Sequence, residues 1–152
     1  MEILNSTLER EITTQRVFNF SIELVYKAFT DPNHLQNWWG PKGFTNTFNL
    51  FELKPGGKWS FIMHGPDKGN YPNECVFIVI EENKLLVWDH LPNPKFYVIV
   101  QFTKIEKTKT QIIFRQLFDS VELRDKILKY TKGKNEENFD RLEIELSKMK
   151  GE

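Results

Sequence analysis

Six β-forming stretches follow one another between Thr45 and Leu117, joined by links too short for anything but reversal, and this run limits the chain most. They are Thr45–Leu53, Lys58–His64, Glu74–Glu81, Leu85–His90, Phe96–Ile105 and Thr110–Leu117. Between them stand Lys54-Pro55-Gly56-Gly57, Gly65 to Asn70, Glu82-Asn83-Lys84, Pro92-Asn93-Pro94 and Lys107-Thr108-Lys109. Glycine, proline and asparagine in such links are turn formers, and strands joined this closely pair antiparallel. In Lys58–His64, Trp59, Phe61 and Met63 share one side of the pleat. Lys58, Ser60 and His64 take the other, with Ile62 among them.

Helical patterns flank this run. A first strand is expected over Ile12–Phe20. Ser21 then reads as an N-cap before Ile22, Val25, Tyr26 and Phe29, which recur at helical spacing. Asp31-Pro32 gives a second cap with proline at the first helical position. Leu35, Trp38 and Trp39 share a face of the short helix that follows, and Gly40-Pro41 ends it. Ser120 caps a segment reaching about Tyr130, and Gly133 interrupts it. Asn135 is expected to cap the last helix, with Glu136 and Glu137 in its first turn, where the helix dipole favours them. Phe139, Leu142, Leu146 and Met149 form one apolar stripe. The order β-α-α-β6-α makes an α+β fold in which that stripe covers the apolar face of a seven-stranded antiparallel sheet. Residues 1–11 read as a lead-in and 12–150 as one domain.

Composition narrows the function classes. The 152 residues carry 21 Lys plus Arg against 21 Asp plus Glu, so the basic excess of a polyanion binder is missing and nucleic acid is not an expected partner. No run of about 18 apolar residues exists to insert into a membrane, and the first twenty residues lack the pattern of a secretory leader. Cys75 is the single cysteine, so no internal disulfide can form. A cytoplasmic protein is expected. Three separated histidines and one cysteine show no zinc spacing, so no metal and no cofactor are predicted. Aromatic residues make up 14% of the chain, and each can bury roughly 150–250 Å². Such a surplus suits a thick core and equally a core with an aromatic-lined hollow.

Several motifs carry a resemblance. Trp38-Trp39-Gly40-Pro41-Lys42-Gly43-Phe44, Pro55-Gly56-Gly57-Lys58-Trp59-Ser60-Phe61, Met63-His64-Gly65-Pro66-Asp67 with Tyr71-Pro72-Asn73-Glu74, Asp89-His90-Leu91 and Asn135 to Leu142 occur in order along the chain. Together they resemble the heat-shock protein 90 ATPase activator homologue family, a branch of the START-like (SRPBCC) superfamily. The resemblance implies a helix-grip, Bet v-like fold whose sheet curls around a long C-terminal helix over a deep apolar cavity. Many members bind lipids, hormones or polyketides there. Cys75 and Val79 depart from the family's more usual small residue and glutamate, and Glu82-Asn83 replaces paired prolines. The loss of a glutamate removes a polar group from the implied cavity wall.

That resemblance implies a ligand-binding lining drawn from Trp38, Trp39, Phe44, Trp59, Phe61 and Met63, then Tyr71, Phe77, Trp88, His90, Phe139 and Leu142. Large apolar residues on one pleat face fit a cavity wall and fit ordinary core equally well. His90 falls in phase with Leu86 and Trp88, so an inward imidazole would need a hydrogen-bond partner. A structurally satisfied histidine is the simpler reading, and a general base the sharper one. His34 and His64 are expected at the surface. Glu74 and Tyr71 sit beside the loop expected to rim the mouth. Asp140 and Arg141 are expected at the surface or pairing with a loop. No catalytic set is assigned.

Three functions compete. The first is binding of a small apolar ligand. The second is stimulation of a chaperone ATPase through protein contact, although fuller activators of this kind carry an additional N-terminal domain. The third is a cyclase- or hydrolase-type enzyme using His90 with Glu74 or Tyr71. Strand Phe96–Phe102 carries Tyr97 and Ile99 on one face and Val98 and Val100 on the other. An uncovered second face would call for another subunit, which makes a homodimer an expectation.

Overall fold

The structure, a computed structural model, describes residues 8–151. Most of the expected lead-in therefore lies outside the described residues. Of the remainder, Leu8–Arg10 is a 3-10 turn and Glu11 already belongs to a strand. Seven strands follow in one antiparallel sheet: β1 (Glu11–Phe18), β2 (Thr45–Phe51), β3 (Lys58–His64), β4 (Asn70–Glu81), β5 (Leu85–His90), β6 (Phe96–Glu106) and β7 (Lys109–Phe118). Their order across the sheet is β1-β7-β6-β5-β4-β3-β2. Each link between consecutive strands from β2 to β7 thus joins neighbours, as its length requires, and only β1 pairs with a strand distant in sequence.

Two short helices fill the first crossover. In α1 (Ile22–Thr30) the Ser21 side chain accepts from Leu24 N at 3.2 Å, and Val25, Ala28 and Phe29 are buried. Asp31 ends α1 and starts α2 (Pro32–Trp38): its N–H donates to Lys27 O and its Oδ1 accepts from Asn33 N. Trp39 lies just beyond the end of α2. It is the C-cap residue, in extended conformation, and its ring packs edge-on against Trp38 at 5.6 Å and reaches on to Trp59 and Trp88.

Helix α3 (Val121–Thr131) starts at Ser120, whose Oγ accepts from Leu123 N. Helix α4 (Lys134–Lys150) starts two residues earlier than the sequence predicts. Gly133, at φ 83°, takes the N-cap position because it tolerates a left-handed backbone. Asn135 is not a cap. It lies within the first turn, free to donate to other elements. The α4 stripe Phe139, Leu142, Leu146 and Met149 is buried in one cluster with the sheet's inner residues. Phe139 meets Phe18 edge-on at 5.6 Å and Phe114 at 5.9 Å. Full burial of each such side chain is worth about 1.5–3 kcal/mol, so the stripe holds α4 across the sheet.

Bulges curl the sheet and explain an uneven pattern. In β4 the register shifts between Phe77 and Val79, and in β2 between Phe48 and Leu50. Phe77 therefore faces Trp88 and Ile80 faces Leu86, so residues three apart point the same way. Strict alternation would put Ile80 outside. A bulge adds local twist, which bends β2–β4 around the core.

The outer face of β6 is partly covered within the chain. Ile99 is fully buried within the single chain, between its cross-strand neighbours Val87 and Arg115. The Arg115 guanidinium is held by the buried carboxylate of Glu11. Ile99 is therefore covered by residues of its own chain.

Candidate functional site

Five adjacent strands each point two residues, spaced two apart, at one hollow: Phe61 and Met63 from β3, Asn73 and Cys75 from β4, Trp88 and His90 from β5, Phe96 and Val98 from β6, Phe114 and Gln116 from β7. This is the period of the pleat repeated across the sheet. The backbone registers Cys75↔His90↔Phe96 and Trp88↔Val98↔Gln116 place them in adjacent rows. Opposite lie Trp39, Gly40 and Pro41 from the loop after α2, and Asn135 and Asn138 from α4. The hollow, open on one side to solvent, measures about 150 Å³.

The loop wall is fixed from α4. Arg141 Nη1 donates to the carbonyls of Trp39, Gly40 and Pro41 at 3.2, 2.8 and 3.0 Å, and Nη2 to those of Asn37 and Phe44 at 3.1 and 2.9 Å. Asn138 Oδ1 accepts from Gly40 N at 3.1 Å, and Glu137 Oε1 from Lys42 N at 3.2 Å. Arg141 is thus the loop-pairing residue the sequence suggests. Its burial lowers the guanidinium pKa from the ordinary value. Gly40, at φ 100°, is required here: a Cβ would stand 2.8 Å from Met63 Cε and 3.2 Å from Phe44 Cβ.

The polar groups of the lining come largely in pairs. His90 Nε2 lies 2.7 Å from Asn73 Oδ1, and Asn73 Nδ2 donates to Tyr71 O at 3.0 Å. His90 Nδ1 is buried and makes no hydrogen bond of proper geometry. The ring stacks on Phe96 at 4.4 Å. Burial pushes the His90 pKa below its ordinary value, opposed by the nearby carbonyls of Pro94 and Pro92 and by the Asp89 carboxylate. Asn135 Nδ2 donates to Gln116 Oε1 at 2.9 Å and to Thr14 Oγ1 at 3.3 Å. Burial, helped by Asp89 and Glu74, pushes the Cys75 thiol up to about 12, so it stays neutral.

Of the residues the resemblance implied, Trp39, Phe61, Met63, Trp88 and His90 border the cavity. The others lie elsewhere. Trp38 is fully buried, donating to Ala28 O at 3.0 Å and packed edge-on against Phe29. Trp59 sits among Phe48, Phe51, Phe61 and Phe77, with its indole N–H buried and unpartnered. Phe77 belongs to the same stack, and Phe139 and Leu142 are core beneath α4. Phe44 is half-buried with its ring 6.1 Å from Tyr71, whose exposed hydroxyl donates to Asp67 Oδ2 at 2.7 Å. Large rings pack against one another when space allows, and the six aromatic ones among these seven side chains are placed so.

The residues needed for an acid–base set are kept apart. Glu74 is exposed, 3.8 Å from Lys58 Nζ, and Tyr71 is turned to Asp67, so neither joins His90. His34 is not a surface residue: its Nδ1 lies 2.9 Å from Oε2 of the buried Glu145, which also accepts from Asn37 Nδ2 at 3.1 Å. His64 bridges Thr47 and Asn70 near the surface. Asp140 pairs with Arg16 at 2.9 Å. Among the described residues, no group of three or more His, Cys, Asp or Glu gathers to hold a metal, and no helix is long and apolar enough to cross a membrane.

Sequence reasoning missed Asn73, Cys75, Phe96, Val98, Phe114 and Gln116 as lining, and Asn135 and Asn138. The strand residues obey the same alternation that placed Phe61 and Trp88, so extending it row by row along the paired strands would have reached them. Nothing in the pattern of α4 singles out its two asparagines.

The architecture recurs in solved structures. A Nitrosomonas europaea protein superposes with a TM-score of 0.88 at 18% identity, over 97% of this chain and 100% of that one. An Arthrobacter aurescens protein does so at 0.85 and 23%, covering 92% and 87%. The AHSA1 protein of Silicibacter pomeroyi gives 0.74 at 15%, covering 90% and 97%. At these identities the likeness is one of fold. No curated protein sequence matches significantly. The family profile described as Activator of Hsp90 ATPase homolog 1-like protein matches residues 19–147, which run from the end of β1 through most of α4 and include every residue around the cavity. By that match, with the helix-grip architecture in agreement, the chain belongs to the Activator of Hsp90 ATPase homolog 1-like family.

Proposed function

We propose that this protein binds a small, predominantly apolar molecule in the cavity between the sheet and α4. One observation carries the reading: a hollow of about 150 Å³ is walled by the rings of Trp39, Phe61, Trp88, Phe96 and Phe114. A cavity of this size accepts a guest about as large as benzene. Drug-sized ligands occupy roughly 300–1,000 Å³, so the natural guest is about one ring or a short chain. By burying its own apolar surface and that of the lining rings, it gains transfer free energy on entry. Calorimetric titration with toluene tests this. Saturable one-to-one binding with a dissociation constant of roughly micromolar to millimolar, as ligand-efficiency bounds allow for so few atoms, supports it. Absence of heat for toluene and for indole alike contradicts it.

The family match favours a second reading, in which the surface contacts a chaperone and stimulates its ATPase. An ATPase assay of a heat-shock protein 90 with and without this chain distinguishes the two, because cavity occupancy by itself predicts no stimulation.

A further inference from the structure

The mouth of the hollow follows from a gradient of burial along the strands. Phe61, Cys75, Trp88, Val98 and Phe114, one from each of β3 to β7, are 3% exposed or less. Their companions two residues away, Met63, Asn73, His90, Phe96 and Gln116, are only half-buried. The half-buried member comes later in β3, β5 and β7 and earlier in β4 and β6. Because neighbouring strands run antiparallel, all of these lie toward one end of the sheet. The opposite wall repeats the gradient: Asn138 and Gly40 are buried, Asn135 and Pro41 half-buried. The hollow therefore has an apolar floor beneath the sheet-lined part and opens at a rim where Asn73, His90, Gln116 and Asn135 stand.

This rim is polar without being ionic. Among the described residues that border the hollow there is no Asp, Glu, Lys or Arg. Burial holds His90 below its ordinary pKa, so it too is neutral at about pH 7.5. An ionised guest group would meet no counter-charge there, and losing hydration without one is unfavourable. Asn135 Nδ2 donates to Gln116 Oε1 at 2.9 Å and to Thr14 Oγ1 at 3.3 Å. Among the described residues nothing else engages these two amides, which leaves the Gln116 amino group and the Asn135 carbonyl over. Exchanging O and N in both amides alters which residue offers which, but one donor group and one acceptor still remain. Phe114 and Gln116 stand two residues apart on β7, about 7 Å by strand rise. That matches one ring with a small substituent, the ring deep and the substituent at the rim.

We propose that the guest is an uncharged amphiphile of about one ring, seated with its ring on the floor of Trp88 and Phe114 and with a group that both donates and accepts hydrogen bonds, of the primary carboxamide kind, at the rim beside Gln116. This rests on the ligand-binding reading and names the class and the orientation of the molecule that the hollow selects.

The test titrates benzamide, toluene, benzoate and benzylamine into the wild-type protein and into Gln116→Leu at about pH 7.5. In the wild type, benzoate and benzylammonium, close in size to benzamide, bind at least roughly tenfold more weakly than it does. On Gln116→Leu, the benzamide-to-toluene affinity ratio falls by roughly two- to tenfold, the worth of one hydrogen bond. Using the ratio cancels any change that affects the ring of both compounds alike. A second readout needs no variant: in the benzamide complex, nuclear Overhauser contacts join the para hydrogen to the Phe114 ring and the amide hydrogens to the Gln116 side chain. Benzoate or benzylammonium binding as tightly as benzamide overturns the proposal. So does the reversed contact pattern, or an unchanged ratio in a folded Gln116→Leu protein. If toluene binds and these signatures are missing, only this inference fails; if none of the four compounds binds, the ligand-binding reading fails with it.

Discussion

The Arg141 guanidinium donates to the Gly40 carbonyl at 2.8 Å, and through that contact a helix residue sets the wall of a cavity contributed by a distant loop. Four further carbonyls, of Asn37, Trp39, Pro41 and Phe44, take the remaining bonds. A planar fork of donors suits this cluster, and a lysine ammonium cannot reproduce it. Arg141→Lys is expected to cost about 2–3 kcal/mol of unfolding free energy in urea, since several charge-assisted bonds are lost together. A loss below about 0.5 kcal/mol would show that the clamp contributes little.

Gly40 gives an independent check on the same loop. Its φ of 100° and the crowding of its would-be Cβ by Met63 and Phe44 act in the same direction. Gly40→Ala is expected to destabilise the protein by about 1–2 kcal/mol, combining backbone strain with the displaced Met63 side chain. Because Met63 borders the cavity, toluene affinity should fall as well. Unchanged stability and affinity would place the loop in a different conformation.

The fold was legible in the sequence to the extent that local chemistry dictates it. Ser21, Asp31 and Ser120 cap where their side chains predict, because an N-cap needs only a few residues of context. The inner face was less legible where bulges intervene: no single-strand pattern says that Phe77 and Ile80 point together, since the extra residue is set by pairing with β5. Trp38 and Trp39 show the limit most plainly. They are adjacent and identical, yet one is core and the other borders the cavity, because α2 ends between them. His34 reads as a surface residue until α4 brings Glu145 beside it. Such long-range placement has no local signature.

His90 predicts a pH dependence. Burial, opposed by the carbonyls of Pro94 and Pro92, holds its imidazole below the ordinary 6.5. The unfolded chain then binds the proton at higher pH than the folded one, so stability is full above about 6.5 and declines as pH falls through that value toward the folded pKa. The difference in unfolding free energy between wild type and His90→Phe should therefore shift in favour of the variant between about pH 7.5 and 5. A His90 imidazole titrating at or above 6.5 by NMR would reverse the sign.

The His34–Glu145 contact ties α2 to α4 at 2.9 Å. Removing the carboxylate leaves His34 Nδ1 and the Asn37 amide without this acceptor. Glu145→Ala is expected to cost about 2 kcal/mol by equilibrium unfolding. Neutral behaviour would mean that water replaces the carboxylate without loss.

Filling the hollow separates binding from folding. Val98 borders the cavity from β6 and is buried. Val98→Phe places extra carbon atoms in empty space, so stability should stay within about 1 kcal/mol of wild type while toluene binding is lost. Retained binding in a folded variant would move the site elsewhere.

Titration of toluene followed by ¹⁵N resonances of the four tryptophan indoles tests the ligand-binding account most directly. Trp39 and Trp88 border the hollow, whereas Trp38 is locked to Ala28 in the core. The account predicts saturable shifts at Trp39 and Trp88 with Trp38 unmoved. Shifts absent from all four, or largest at Trp38, would contradict it.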